Sequence, residues 1–187
     1  MHGSLGRATH TAVIVPVPEA EPAVGEHRLR LDQAASWGVP AHVTVVFPFV
    51  PPEDVDAQVV AALGSALAAQ RSFDCAFSTC GWFGEDVLWL APEPAQRFRD
   101  LTAAVVERFP GFPPYGGAFD EVVPHLTVGE SRLGTLADLR AAEAEVSRAL
   151  PIATRVDHAM LIAGTDQPGS WHPVARLPLQ RAALSRA

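Results

Sequence analysis

Two rhythms of hydrophobic and polar positions run along this chain. Residues 9–18 form a β-branched run that ends in prolines, which predicts a first strand that stops abruptly. Residues 41–49 and 124–129 are short apolar runs in which His and Thr alternate with Val or Leu, the period of a half-buried strand. A slower period takes over within residues 53–70, where Val55, Val59, Leu63 and Leu67 follow the acids Glu53, Asp54 and Asp56, and predicts an amphipathic helix. Residues 73–83 and 87–91 read as a hairpin around Gly84-Glu85-Asp86, after which Pro94 opens a helix with a stripe of Phe98, Leu101, Thr102, Val105 and Val106. Thr135, with Asp138 three residues on, caps a further helix marked by Leu136, Leu139, Val146 and Leu150 and broken by Pro151. Residues 155–163 and 171–179 read as the last strands, joined by a turn-rich segment. Residues 26–37 form a short helix closed by Gly38, and the Pro- and Gly-rich stretch 109–120 is a loop.

In a strand, side chains at i and i+2 share a face. His42, Thr44 and Val46 therefore project together, against Val43, Val45 and Phe47, and His125, Thr127 and Gly129 oppose Leu126 and Val128. The apolar face packs, which leaves the His/Thr face for chemistry. A unit of His-x-Thr strand, helix and two further strands occurs twice. This predicts an α+β fold in which two lobes, each an antiparallel-type sheet with helices on its outer face, meet across a central groove with one His-x-Thr on each wall.

An in-line displacement needs a base on one face and an acid on the other, and two opposed imidazoles supply both; hydrolysis of a phosphodiester is one such reaction. One deprotonates water and the other protonates the leaving oxygen on the far side of phosphorus, and histidine exchanges protons near neutrality. The Thr hydroxyls can donate to the non-bridging phosphate oxygens, where charge accumulates. His42 and His125 are the candidate acid and base, in either order, and Thr44 and Thr127 the candidate phosphoryl holders. The plainer reading of either triplet alone is a satisfied His beside a Thr chosen for strand propensity; the pair together argues against it. His10, His158 and His172 lack a Thr two residues on and read as structural, while His2 and His27 read as solvent-exposed.

The paired motifs, the first followed by Phe47-Pro48-Phe49 and the second preceded by Pro124, resemble the 2H phosphoesterase superfamily. Within it they are most similar to the bacterial 2′-5′ RNA ligase-like, or LigT-like, cyclic phosphodiesterases, over residues 12–179. The resemblance implies a single bilobal domain over residues 1–187 with pseudo-two-fold related lobes. It also implies substrate-contacting residues in the loop before the second motif, where Tyr115 and Phe119 stand as candidate base platforms; Trp82 is a weaker one. Where many relatives carry an arginine three places after the second motif's Thr, this chain has Glu130. Arg132 is the candidate substitute for phosphate recognition.

Composition narrows these readings. The 187 residues are 48% hydrophobic and 19% charged, an ordinary globular balance. No apolar run is long enough for a membrane span, and residues 1–7 lack the features of a signal peptide, so a cytoplasmic protein is expected. All 14 basic residues are arginine, which excludes Schiff-base chemistry, a P-loop lysine and ATP-dependent ligation through an adenylated lysine. A net charge of −7 disfavours a long polyanion, so the expected partner is a nucleotide or a short RNA end bearing a cyclic phosphate. No carboxylate or cysteine falls at ligand spacing beside either motif, and Cys75 and Cys80 read as free thiols; no metal and no cofactor are expected. The alternatives are cleavage or reversible joining of 2′-5′ linkages, and a nucleotide-binding module without turnover. The sequence leaves the oligomeric state open.

Overall fold

The computed structural model describes residues 7–118 and 122–181, and within them the strands sort into two four-stranded antiparallel sheets. The first contains β1 (His10–Pro16), β2 (His42–Val46), β7 (His158–Gly164) and β8 (His172–Pro178), side by side in the order β2-β1-β7-β8. The second contains β3 (Phe73–Phe83), β4 (Val87–Glu93), β5 (Leu126–Glu130) and β6 (Ile152–Val156), in the order β5-β4-β3-β6. Both His-x-Thr segments thus lie on edge strands, each paired with one inner strand.

The helices are α1 (Glu21–Leu31), α2 (Gln33–Ser36), α3 (Ala57–Ala68), α4 (Ala95–Arg108) and α5 (Leu136–Ser147). They cross between the lobes. α1 leaves the first sheet after β1 yet packs on β5, and α4 leaves the second after β4 yet packs on β2. Each edge strand is therefore backed by a helix whose preceding strand belongs to the other sheet. α3 packs against α4 and β8, and α5 against β3 and β5.

The helix signals hold where side chains close the ends. Asp56 accepts from the backbone N–H of Gln58 and Val59 and starts α3, and Thr135 with Asp138 forms a capping box on α5. The predicted stripes bury Leu63 and Leu67 of α3, Phe98, Leu101 and Val105 of α4, and Leu139 and Val146 of α5; Leu136 is exposed instead.

Three expectations are corrected. The predicted helix over 26–37 is two helices, since Asp32 takes an extended conformation that ends α1 and caps α2 by accepting from Ala34. The predicted strand over 155–163 is two strands in different sheets, and the chain changes sheet at Asp157 between β6 and β7. The hairpin that follows the first motif does not complete that motif's sheet but forms the inner strands of the second. Period and propensity mark strands; they do not say which sheet a strand joins.

The main core joins both sheets to the helices, through residues such as Val13, Val43, Leu63, Phe77, Phe98 and Leu161. A smaller apolar cluster of Ala12, Ile14, Val39, Ile162 and Trp171 lies on the other face of the first sheet, with Trp37, Phe47 and Met160 packed against it. That second cluster forms a wall of the cleft between the motifs.

Candidate active site

Each motif strand carries a β-bulge at the same place. On β2 the register runs from Thr44 opposite Ile14 to Val46 opposite Val13, so one residue is extra; on β5 it runs from Thr127 opposite Trp89 to Gly129 opposite Leu88. A bulge reverses the in/out alternation beyond it. His42 and Thr44 share the cleft face as expected, but Val46 turns into the core and Phe47 joins the cleft, the reverse of the strict alternation. In β5, likewise, Gly129 is buried and Glu130 enters the cleft with His125 and Thr127. The bulged β2 is held from behind by Thr102 of α4, whose hydroxyl donates to the Val45 carbonyl at 2.9 Å.

All four motif residues line one cleft of about 220 Å³. The two imidazoles are held the same way. His42 Nδ1 lies 2.7 Å from the Pro40 carbonyl oxygen, and His125 Nδ1 lies 2.7 Å from that of Val123, in each case two residues back. A carbonyl only accepts, so Nδ1 carries the proton and Nε2 is the free, basic nitrogen of each ring.

Burial in the cleft disfavours the charged form of both rings. Burial, then the Arg28 guanidinium and the second imidazole, pull the His42 pKa down to about 3 against the opposing pull of the Pro40 carbonyl. Burial also lowers that of His125, but there the Val123 carbonyl and the Asp32 carboxylate act in the opposite sense. Arg28 and Asp32 are themselves a buried ion pair at the end of α1, with Nη2 and Oδ2 2.9 Å apart. Arg28 also donates to the Val39 carbonyl, and Asp32 lines the cleft. This pair sets the two histidines apart electrostatically, with its positive end lowering His42 and its negative end favouring the proton on His125.

Aromatic rings flank both motifs. Trp37 and Trp171 stack with centroids 6.5 Å apart, Phe47 leans on Trp171 at 6.2 Å, and all three line the cleft. On the other side Phe83 meets His125 edge-on at 5.0 Å and Trp89 lies 6.0 Å from it. Tyr115 also lines the cleft. Its backbone N–H donates to the Phe47 carbonyl at 2.6 Å and its hydroxyl bonds the Thr44 hydroxyl, while burial pushes its phenol pKa up.

The remaining candidates separate. Phe119 lies outside the described residues, as does His2. Arg132 sits on the turn after β5, largely exposed and tied to Glu130, at the rim of the cleft and not among its lining residues. Trp82 is turned toward α5, where its Nε1 donates to Glu143 at 2.8 Å beneath the Arg140 guanidinium. His10 approaches Phe47 at 6.0 Å, and His158 and His172 bond Asp157 and the Ser170 carbonyl. His27 is not exposed: it is buried between α1 and α5, with Nε2 3.2 Å from Glu145. Cys75 and Cys80 are free thiols. Among the described residues no group of three or more His, Cys, Asp or Glu is arranged to hold a metal ion, and no helix is long and apolar enough to cross a membrane.

Arg28, Asp32, Trp37 and Trp171 are the site residues that motif reading passes over, while Phe47 and Glu130, which follow the motifs in the sequence, enter the cleft against the expected alternation. Only the four-residue spacing of Arg28 and Asp32 carries a local signal. The others arrive through bulges and chain crossings.

Two His-x-Thr edge strands thus line one cleft of an α+β fold built from two four-stranded sheets. The model of the 2′-5′ RNA ligase superfamily matches residues 16–168, and the chain belongs to that superfamily of phosphoesterases and RNA ligases. Among solved structures it is similar to E. coli LigT complexed with 3′-AMP, at 18% identity over 93% of this chain and 99% of that one, with a TM-score of 0.58. The protein TT0787 of Thermus thermophilus superposes at a TM-score of 0.61 with 14% identity, over 93% of this chain and 100% of that one. No curated protein matches the chain.

Proposed function

We propose that this protein is a cytoplasmic, metal-independent phosphodiesterase, acting as one bilobal unit, that opens 2′,3′-cyclic phosphates of nucleotides or of short RNA ends. The observation that carries this reading is the matched pair of imidazoles in one cleft, each with Nδ1 anchored to a carbonyl, Nε2 free and a Thr two residues on. An anion entering the cleft raises the proton affinity of both rings. His125, beside the Asp32 carboxylate, takes the proton first and is the acid; His42, with Arg28 behind it, stays neutral and is the base.

His42 Nε2 removes a proton from water, the water oxygen bonds to phosphorus, and the opposite phosphorus–ribose oxygen bond breaks. The released oxygen takes its proton from His125. The products are a phosphomonoester and a free vicinal hydroxyl. Thr44, oriented by Tyr115, and Thr127 donate to the non-bridging oxygens. Phe47 with Trp37 and Trp171 gives a nucleobase an aromatic face to rest on. The cleft volume suits the end of a substrate and not a long strand. E. coli LigT has been seen with 3′-AMP, a phosphomonoester of the product type.

The test is hydrolysis of the four 2′,3′-cyclic mononucleotides with chelator present, by the wild type and by His42→Ala and His125→Ala. Loss of turnover by at least about 100-fold in both variants is expected. Near wild-type rates in both would overturn the two-histidine assignment. Turnover only of 2′-5′ linked dinucleotides favours the second chemistry of the superfamily, and tight binding without turnover favours a binding module.

A further inference from the structure

Among the described residues, no cation lines the cleft proposed to hold the phosphate. The charged residues that line it are Asp32 and Glu130. Asp32 is neutralised by Arg28, with which it shares both a hydrogen bond and a close ion pair. Glu130 is different. The bulge at Gly129 turns its side chain onto the face of His125 and Thr127, one strand period beyond Thr127, and its partner Arg132 is on the solvent side with 61% of its side chain exposed. A partner so exposed to water offsets a carboxylate only in part. The equivalent place on β2, five residues after His42, holds Phe47, so one end of the cleft is aromatic and the other anionic.

We propose that Glu130 is a charge filter, which admits the singly charged cyclic phosphodiester and repels doubly charged phosphomonoesters. This rests on the cyclic-phosphate reading and names its substrate class more narrowly: cyclic phosphates that carry no second phosphate near the reacting one. The carboxylate costs a monoanion little while the Thr hydroxyls, the neutral His42 and the protonated His125 hold it. A dianion at the same place meets twice the repulsion. Ring opening converts the first species into the second, since a phosphomonoester carries about −1.5 to −2 charges near pH 7. The same carboxylate that tolerates substrate therefore expels product, and it disfavours ends with an adjacent phosphate.

The experiment measures equilibrium binding of 2′,3′-cyclic AMP and 3′-AMP at pH 8 by calorimetry, in a His42→Ala background that leaves the cyclic ligand intact, with and without Glu130→Gln. Glu130→Gln is expected to lower the preference for the cyclic ligand by about fivefold to tenfold, chiefly by tightening 3′-AMP. Arg132→Gln, which strips the counter-charge from Glu130, is expected to raise that preference. An unchanged ratio in both variants, or weaker 3′-AMP binding in Glu130→Gln, would overturn the filter alone. Binding of neither nucleotide in any form would overturn it together with the functional reading. Turnover by wild type is measured separately, so the two failures are distinguishable.

Discussion

Arg28 and Asp32 form an ion pair at 2.9 Å in which the side chains are 2% and 3% exposed, four residues apart on either side of the end of α1. Each partner has further work: Arg28 donates to the Val39 carbonyl and Asp32 accepts from Ala34. The pair therefore ties α1, α2 and the segment leading to β2 together while it polarises the cleft. Asp32→Ala would remove the closest partner of a buried guanidinium, leaving it the Val39 carbonyl and the Glu21 carboxylate at 3.8 Å, and is expected to destabilise the protein by about 3 kcal/mol in urea unfolding. A loss below about 1 kcal/mol would show that Glu21 or water takes over the pairing of Arg28.

Acid should loosen the fold through His42. Its folded pKa lies near 3 against about 6.5 unfolded, so between these values the unfolded chain binds more protons and stability rises with pH. The contribution is complete above pH 6.5 and is lost as pH falls toward 3. At pH 5 the loss from His42 reaches up to about 2 kcal/mol, with His125 acting in the same direction. Denaturant unfolding at pH 7.5 and 5.0 should show a smaller difference in His42→Gln than in wild type; equal differences would mean that the ring is not held neutral.

Tyr115 reaches the site through one hydroxyl, bonded to Thr44, on a residue held in the left-handed region at φ 52°. Tyr115→Phe keeps the ring and the backbone N–H that donates to Phe47. The expected outcome is a turnover lowered about fivefold, the worth of one hydrogen bond, with an unchanged melting temperature. A large drop in melting temperature instead would make Tyr115 a loop anchor only.

The motif residues are legible in the sequence because period-two alternation places His42 with Thr44, and His125 with Thr127, whatever sheet they join. The residues just after each motif are not. Val46, Phe47, Gly129 and Glu130 lie beyond a bulge, and a bulge depends on the partner strand and on the helix behind, neither of which is local in sequence. Trp171 reads as the start of a strand. It becomes part of the cleft because its ring covers Gly164, where a Cβ would come within 2.4 Å of the indole. His27 reads as exposed because the polarity of α1 has no clear stripe; the side of α1 that faces α5 is decided by the crossing between lobes.

The second bulge supplies a prediction that joins fold to site. At Gly129 an added Cβ would lie 2.8 Å from Leu139 Cδ2 and 2.8 Å from Leu31 Cβ. The Leu139 methyl ends a flexible side chain and can turn aside. Leu31 Cβ cannot, because Leu31 is the last residue of α1 and precedes Asp32, which the Arg28 pair holds in place. Gly129→Ala must therefore push β5 away from α1 and carry His125, Thr127 and Glu130 with it. Overpacking of this kind is expected to cost about 1–3 kcal/mol of stability. A displacement of about 1 Å at the reacting groups can cost on the order of 100-fold in rate, so turnover should fall further than the stability loss alone explains. Gly111 serves as the control, since a Cβ there meets nothing within 4 Å. If Gly129→Ala and Gly111→Ala turn over alike at a temperature where both are folded, α1 does not fix the position of the second motif.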